Sequence, residues 1–116
     1  MRVDAEVPLS APTEKLWKAI QQLQPFGVGN PEPVFASRNV MIKDARLVGA
    51  TKKHLKLVIV DPASHMQLDA IGFSMAEYYP QLQSTPTADI AYTIDMNEWN
   101  GTKKLQLKVK DIQFPT

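Results

Sequence analysis

Few side chains in this sequence could carry out covalent chemistry. The 116 residues include no cysteine, which excludes disulfides, thiolate metal ligands and a cysteine nucleophile. The only two histidines, His54 and His65, have no Asp or Glu cluster at ligand spacing around them, so no metal site is predicted. The scarcity of such groups indicates that any catalytic chemistry lies outside this chain.

Charged side chains are distributed unevenly, although 13 basic and 12 acidic residues leave a net charge of only +1. Residues 34–60 carry six basic groups and one acid, residues 61–100 carry six acids and no base, and residues 101–110 carry four lysines. The total charge gives no argument for a nucleic-acid or membrane partner. The segregation predicts either two basic segments that meet on one surface, or ordinary ion pairs between neighbouring strands of opposite sign.

The composition, with 44% hydrophobic and 22% charged residues, is typical of one globular domain. The longest unbroken apolar run spans only residues 57–60, whereas a membrane helix needs about 20 such residues. No stretch resembles a signal peptide. We therefore expect no membrane partner and a cytoplasmic location.

Alternation of polar and apolar residues predicts strands along most of the chain. A strand over 2–9 comes first, and a helix over 12–24 follows it, with the Ser10 hydroxyl as its cap. A short helix is predicted within residues 74–82, where Pro80 stops it, and residues 97–101 form a hairpin loop around Asn-Gly. The remaining strands are predicted over 34–48 (with a bulge), 54–61, 66–73, 87–96 and 103–112.

This order of elements predicts a mainly β fold, namely a five-stranded OB-fold barrel with a short helical insert, preceded by an N-terminal strand and α-helix. An SH3-like barrel would give a similar series of strands, but the helix after the third barrel strand favours the OB-fold. We expect residues 1–33 to form the N-terminal strand, helix and Pro/Gly-rich elbow, and residues 34–116 to form the barrel.

The elbow, PFGVGNPEPVF over residues 25–35, is the most distinctive stretch of the sequence. A phosphate-binding glycine loop requires a strand before it and a helix after it, whereas here a helix precedes and Pro31 and Pro33 forbid a helix. The stretch is better explained as a rigid connection that Phe26 and Phe35 attach to a core.

Four blocks of the sequence resemble, in the expected order, the C-terminal region of the RecJ family of bacterial 5′→3′ single-strand-specific DNA exonucleases. A further stretch, LDAIGF at 68–73, is similar to the third strand of that family's OB domain. The four blocks are VDAE at 3–6, LQPFGVGNPEPVF at 23–35, HLKL at 54–57, and NEWNG at 97–101 followed by LQL at 105–107.

The resemblance implies that this chain is the C-terminal domain of a larger DHH-type phosphoesterase. That family's catalytic core uses clustered Asp and His ligands for divalent manganese or magnesium, and this chain has no Asp-His-His motif. We therefore expect no cofactor in this chain and no hydrolysis of DNA by it alone. The implied partners are single-stranded DNA, the catalytic core of the same protein and single-strand-binding protein.

OB-folds bind single strands on one sheet face, between the loop that joins the first two barrel strands and the loop that joins the last two. Lysines near these loops could neutralise phosphates, and Trp99 could stack on a base or instead pack back on the barrel. A second hypothesis is a protein-interaction module that docks a catalytic core or an acidic tail. The candidate DNA-binding residues are Lys52, Lys53, His54, Lys56, Trp99, Asn100, Lys103 and Lys104.

Overall fold

Six strands and two short α-helices form the fold in the computed structural model, which describes residues 3–27 and 29–115. Arg2, in the first predicted strand, and Val28, in the elbow, lie outside the described residues. In chain order the elements are β1 (Ala5–Glu6), α1 (Glu14–Gln21), β2 (Phe35–Val48), β3 (His54–Val60), β4 (Gln67–Gly72), a 3-10 turn (Ala76–Tyr78), α2 (Tyr79–Ser84), β5 (Thr87–Trp99) and β6 (Thr102–Gln113).

Strands β2 to β6 close into a barrel in the order β2-β3-β4-β6-β5, because β5 also pairs with β2. The β4–β6 contact is parallel, whereas the other pairings among these five strands are antiparallel. Two register shifts, at Ser37/Val40 and Ile42/Asp44, let β2 pair first with β5 and then with β3. The predicted OB-fold barrel and its bulged first strand are confirmed.

The barrel interior is built from the inward residues of each alternating strand. Leu55, Leu57 and Ile59 of β3 have no exposed surface, and Leu107 of β6 has none either. Tyr92 of β5 is also fully buried and belongs to the core. We estimate that burying each large apolar side chain contributes about 1.5–3 kcal/mol.

A hydrogen-bonded chain links this core to the N-terminal segment. The Tyr92 hydroxyl lies 2.8 Å from Ser37 Oγ, and Ser37 Oγ donates to the Val7 carbonyl at 2.8 Å. Since the Ser37 proton is directed to Val7, the Tyr92 hydroxyl donates to Ser37. Burial raises the pKa of Tyr92, and the hydrogen bond with Ser37 acts in the opposite direction.

The N-terminal segment packs against the outside of the barrel. β1 pairs in parallel with the start of β2, and α1 contacts β5, which is buried on both faces over residues 90–94. Ile20 of α1 is buried in the core cluster, where Leu16 and Trp17 also pack. The prediction that Ser10 caps the helix is wrong, because Thr13 Oγ1 accepts the hydrogen bond from the Leu16 backbone N–H at 3.1 Å.

The elbow is stabilised by a side chain and by backbone hydrogen bonds. Asn30 Nδ2 donates to the carbonyls of Leu23 and Pro25, at 2.6 and 3.0 Å. Asn30 and Gly27 exchange two backbone hydrogen bonds, and both Phe26 and Phe35 pack against the core. Phe26 and Phe35 thus attach the elbow to the core, as predicted. The division between a unit 1–33 and a unit 34–116 stays a prediction.

The helical insert between β4 and β5 is present, but its helix begins where we predicted that it would end. Pro80 stands in the first turn of α2, where its missing N–H costs no hydrogen bond, and the helix continues to Ser84. Neither helix in the described part of the chain is long and apolar enough to cross a bilayer.

Candidate nucleic-acid interface

A surface groove of about 370 Å³ lies on the outside of the barrel, where the β5–β6 hairpin approaches β3. Lys56 reaches it from β3 because it alternates with Leu55 and Leu57, which are directed into the core. The hairpin supplies the rest of the lining. The residues lining this groove are Lys56, Asn97, Trp99, Thr102 and Lys104.

The β5–β6 hairpin positions its groove residues through a two-residue turn at Asn100 and Gly101. Both residues have positive φ, at 50° and 77°, as the predicted Asn-Gly turn requires. The prediction of a five-residue loop is wrong, because β5 continues to Trp99, which pairs with Thr102. Trp99 thus ends a strand, and its side chain is 73% exposed.

Strand register explains which hairpin residues share the groove. Asn97 pairs with Lys104 and Trp99 pairs with Thr102, so the period of two puts these four on one face of the hairpin. Lys103, paired with Glu98, is on the other face. The sequence does not indicate Asn97 and Thr102, because it predicts a loop over 97–101 and a strand only from 103, and neither prediction assigns these two residues to a face of the sheet.

The groove cations differ in their electrostatic environment. Lys104 Nζ lies 2.8 Å from the Asp69 carboxylate on β4, so its charge is already balanced. Lys56 has no carboxylate within ion-pair distance among residues 3–27 and 29–115, and the same holds for Lys52, Lys53 and Lys103. Ion pairs between neighbouring strands therefore account for part of the charge segregation. A second example is Lys108 on β6, whose Nζ lies 3.3 Å from the Asp95 carboxylate on β5.

The β2–β3 loop carries the remaining predicted residues. Lys52 and Lys53 are exposed, and Lys52 has a positive φ of 57° in a turn closed by its N–H to the Gly49 carbonyl. His54 is engaged within the protein, since its Nδ1 accepts from the Ser74 backbone N–H at 3.0 Å. Its ring also lies against Gly49, where an added Cβ would be 2.9 Å from His54 Cδ2.

The structure brings together three of the eight predicted residues, Lys56, Trp99 and Lys104, in one groove. Asn100 is in the adjoining turn, and Lys52, Lys53 and His54 are at the β2–β3 loop. Within the described ranges, no group of three or more His, Asp and Glu side chains could hold a metal ion.

Comparison with known proteins agrees with the barrel and its N-terminal extension. A family model described as the RecJ OB domain matches residues 3–111 of this chain. The chain belongs to the RecJ family.

Three proteins named single-stranded-DNA-specific exonuclease RecJ illustrate the relationship. The Bacillus subtilis protein is 37% identical over 92 residues, covering 79% of this chain and 12% of its own length. The Haemophilus influenzae protein is 37% identical over 95 residues, covering 81% and 16%. The Escherichia coli protein is 30% identical over 113 residues, covering 95% and 19%. This chain therefore spans less than a fifth of the relatives' length.

Solved RecJ structures share the fold. Crystal structures of RecJ from Thermus thermophilus in complex with Mn²⁺ and with Mg²⁺ match all of this chain, with TM-scores of 0.74 and 0.73. The sequence identities are 21% and 20%, and the match covers 16% and 17% of those chains. The metals are in those RecJ structures, whereas the residues described here do not fit a metal site.

Proposed function

We propose that this chain is the accessory single-stranded-DNA-binding domain of a RecJ-type 5′→3′ exonuclease acting in DNA repair and recombination. The catalytic core, with its divalent Mn²⁺ or Mg²⁺, would lie outside the chain. The observation that carries the proposal is the groove itself, in which Lys56 and an exposed tryptophan meet on the outside of an OB barrel.

The groove has the two kinds of group that bind a single strand without reading its sequence. Lys56 can neutralise a backbone phosphate, and the 73% exposed Trp99 ring can stack on a base. Asn97 and Thr102 add polar side chains that can hydrogen-bond to phosphate or sugar. Near-neutral total charge and the Lys104–Asp69 pair indicate a weak, salt-sensitive interaction.

The hypothesis that α1 docks another protein has less support. The apolar face of α1 is occupied by the barrel, since Ile20 is buried and Trp17 packs against the same core. An acidic tail of single-strand-binding protein would have to use the same lysines as DNA, and competition with DNA tests this.

A fluorescence anisotropy titration with fluorescein-labelled (dT)₁₂ tests the DNA proposal. Trp99→Ala should weaken binding by roughly 5- to 150-fold, which corresponds to the loss of one stacked base. Lys56→Glu should weaken it and make the dependence on salt shallower. The matched control is Lys15→Glu on the exposed side of α1, which changes the net charge equally.

Three outcomes would refute the proposal. They are no binding by the native chain at high micromolar protein, equal effects of Lys56→Glu and Lys15→Glu, or a Trp99→Ala variant with native affinity. Tight binding of an acidic peptide together with no DNA binding would support the docking module instead.

A further inference from the structure

A second exposed aromatic ring, Phe73, lies at the end of β4 beside the β2–β3 loop. Its side chain is 57% exposed and belongs neither to the core nor to the groove that holds Trp99. Leaving a phenylalanine in water forgoes the free energy that its burial would contribute, about 1.5–3 kcal/mol. Its surroundings show what orients it.

The turn that carries Phe73 is fixed by the loop opposite. Ser74 donates its backbone N–H to His54 Nδ1, and Ala76 donates its backbone N–H to the Lys53 carbonyl at 3.1 Å. The His54 and Phe73 rings meet edge-on, with centroids 5.3 Å apart and planes at 76°. Phe73 is therefore held by the hydrogen bonds of two residues that follow it, Ser74 and Ala76, and by the contact of its own ring with His54.

The backbone of this turn is also strained in a way that only a fixed environment maintains. Ser74 has a positive φ of 57°, which is unfavourable for a residue with a Cβ. Gly72 is packed so closely that an added Cβ would lie 2.7 Å from Met75 Sδ. The result is an exposed ring in one orientation, which is what a stacking surface for a nucleobase requires.

The position of Phe73 relates it to the groove. Asp69 forms an ion pair with Lys104 of the groove. It lies on β4, four residues before Phe73, which directly follows the end of that strand. At about 3.3 Å per strand residue, Asp69 is about 13 Å from Phe73. Trp99 is about 26 Å away from Phe73 along the strands, because it pairs with Thr102, four residues before the Gln106 that pairs with Asp69. At the duplex spacing of about 3.4 Å per nucleotide, about eight steps cover the distance to Trp99, and an extended single strand needs fewer.

We propose that Phe73 is a second base-stacking residue, positioned by His54, and that a single strand of several nucleotides reaches from Phe73 past Lys104 to Trp99. This inference rests on the proposed DNA-binding function. It assigns His54 an indirect role through Phe73, and it places the exposed Lys53 beside the strand at the Phe73 end.

The test compares unlabelled (dT)₃ and (dT)₈ as competitors against a labelled (dT)₁₂ probe. Phe73→Ala should weaken (dT)₈ by roughly 5- to 150-fold and change (dT)₃ by less than about twofold, because a trimer cannot reach both rings. Phe73→Tyr keeps the ring and should keep native affinity. Leu23→Ala, which removes another exposed apolar side chain at the elbow, is the matched control and should leave both affinities unchanged.

A double-mutant cycle tests the positioning role of His54. His54→Ala should weaken (dT)₈ in the native background and have no further effect when Phe73 is already alanine. A purely structural role would give the same loss in both backgrounds and would overturn this assignment.

The inference and the proposed function fail differently. If Trp99→Ala weakens (dT)₈ while Phe73→Ala does not, or if Phe73→Ala weakens both lengths equally, the second stacking residue is refuted and the binding function stands. If the native chain binds neither length, the proposed DNA-binding function is itself refuted, and the inference falls with it.

Discussion

Asp69 is expected to limit the affinity of the groove for DNA. Its carboxylate lies 2.8 Å from Lys104 Nζ, and its side chain is only 26% exposed, whereas the Lys104 side chain is 71% exposed. A phosphate that binds Lys104 would meet a fixed negative charge behind it. Replacing Asp69 with Asn removes this charge and keeps nearly the same side-chain shape.

The expected gain follows from Coulomb's law. A phosphate in contact with Lys104 would be about 6 Å from the Asp69 carboxylate, since two contacts of about 3 Å separate them. Their repulsion is about 0.7 kcal/mol at the dielectric constant of water and about 2.8 kcal/mol at an effective value of 20. Because Lys104 is largely exposed, we expect the lower part of this range, a gain of about three- to tenfold at low salt.

The assay is the (dT)₁₂ titration at several salt concentrations. Asp69→Asn should bind more tightly than the native chain, and the slope of log K against log salt should steepen by about 0.7 for the additional phosphate contact. Glu14→Gln is the matched control, because Glu14 is an exposed carboxylate 3.5 Å from Lys18 on α1 and its loss changes the net charge equally. Equal gains for the two variants, or no gain for Asp69→Asn, would refute this account of the groove.

Three further predictions concern stability. Ser37→Ala leaves the Tyr92 hydroxyl buried without its acceptor, at a cost of about 1–3 kcal/mol, whereas Tyr92→Phe costs about 0.5–1.5 kcal/mol. In urea unfolding, the double variant should lose less than the sum of the two, and strictly additive losses would contradict the pairing. Burial raises the pKa of Tyr92 above 10.0, so its neutral form is favoured in the folded state. The resulting stability is present below about pH 10 and is lost as pH rises through the folded pKa, so Tyr92→Phe should flatten the alkaline decline in free energy of unfolding. Gly49→Ala should destabilise by about 1–3 kcal/mol, because Gly49 has φ +96° and its Cβ would meet His54, whereas Gly101→Ala, at φ +77° in open space, should lower the melting temperature less.

The barrel was predictable because its signals are local and repeated. Alternation in residues such as Leu55, Leu57 and Ile59 shows which side of β3 faces inward, and Asn-Gly fixes a hairpin turn. Helix ends were less predictable, since Ser and Thr are both residue types that cap helices and the helix is capped by Thr13, three residues after Ser10. Pro80 likewise suits the start of a helix as well as its end.

The groove was only partly predictable because its composition depends on register. The sequence indicates that Lys56, Trp99 and Lys104 are near the two loops, but only cross-strand pairing adds Asn97 and Thr102 and turns Lys103 away. The Lys104–Asp69 pair joins residues 35 positions apart through the parallel β4–β6 contact, which no local pattern encodes. The contact of His54 with the turn after β4 is likewise long-range.

The pairing of β1 with the start of β2 covers a strand edge that would otherwise be open. The first residues of β2 form backbone hydrogen bonds with β5 on one side. On their other side they bond to β1 and its flanking residues, without which these backbone groups would be open. Open strand edges recruit further chains. A shortened chain beginning at residue 34 would expose this edge together with the β5 surface under α1, and it should self-associate in light scattering where the 116-residue chain does not. We therefore expect the N-terminal segment to prevent self-association by covering this edge.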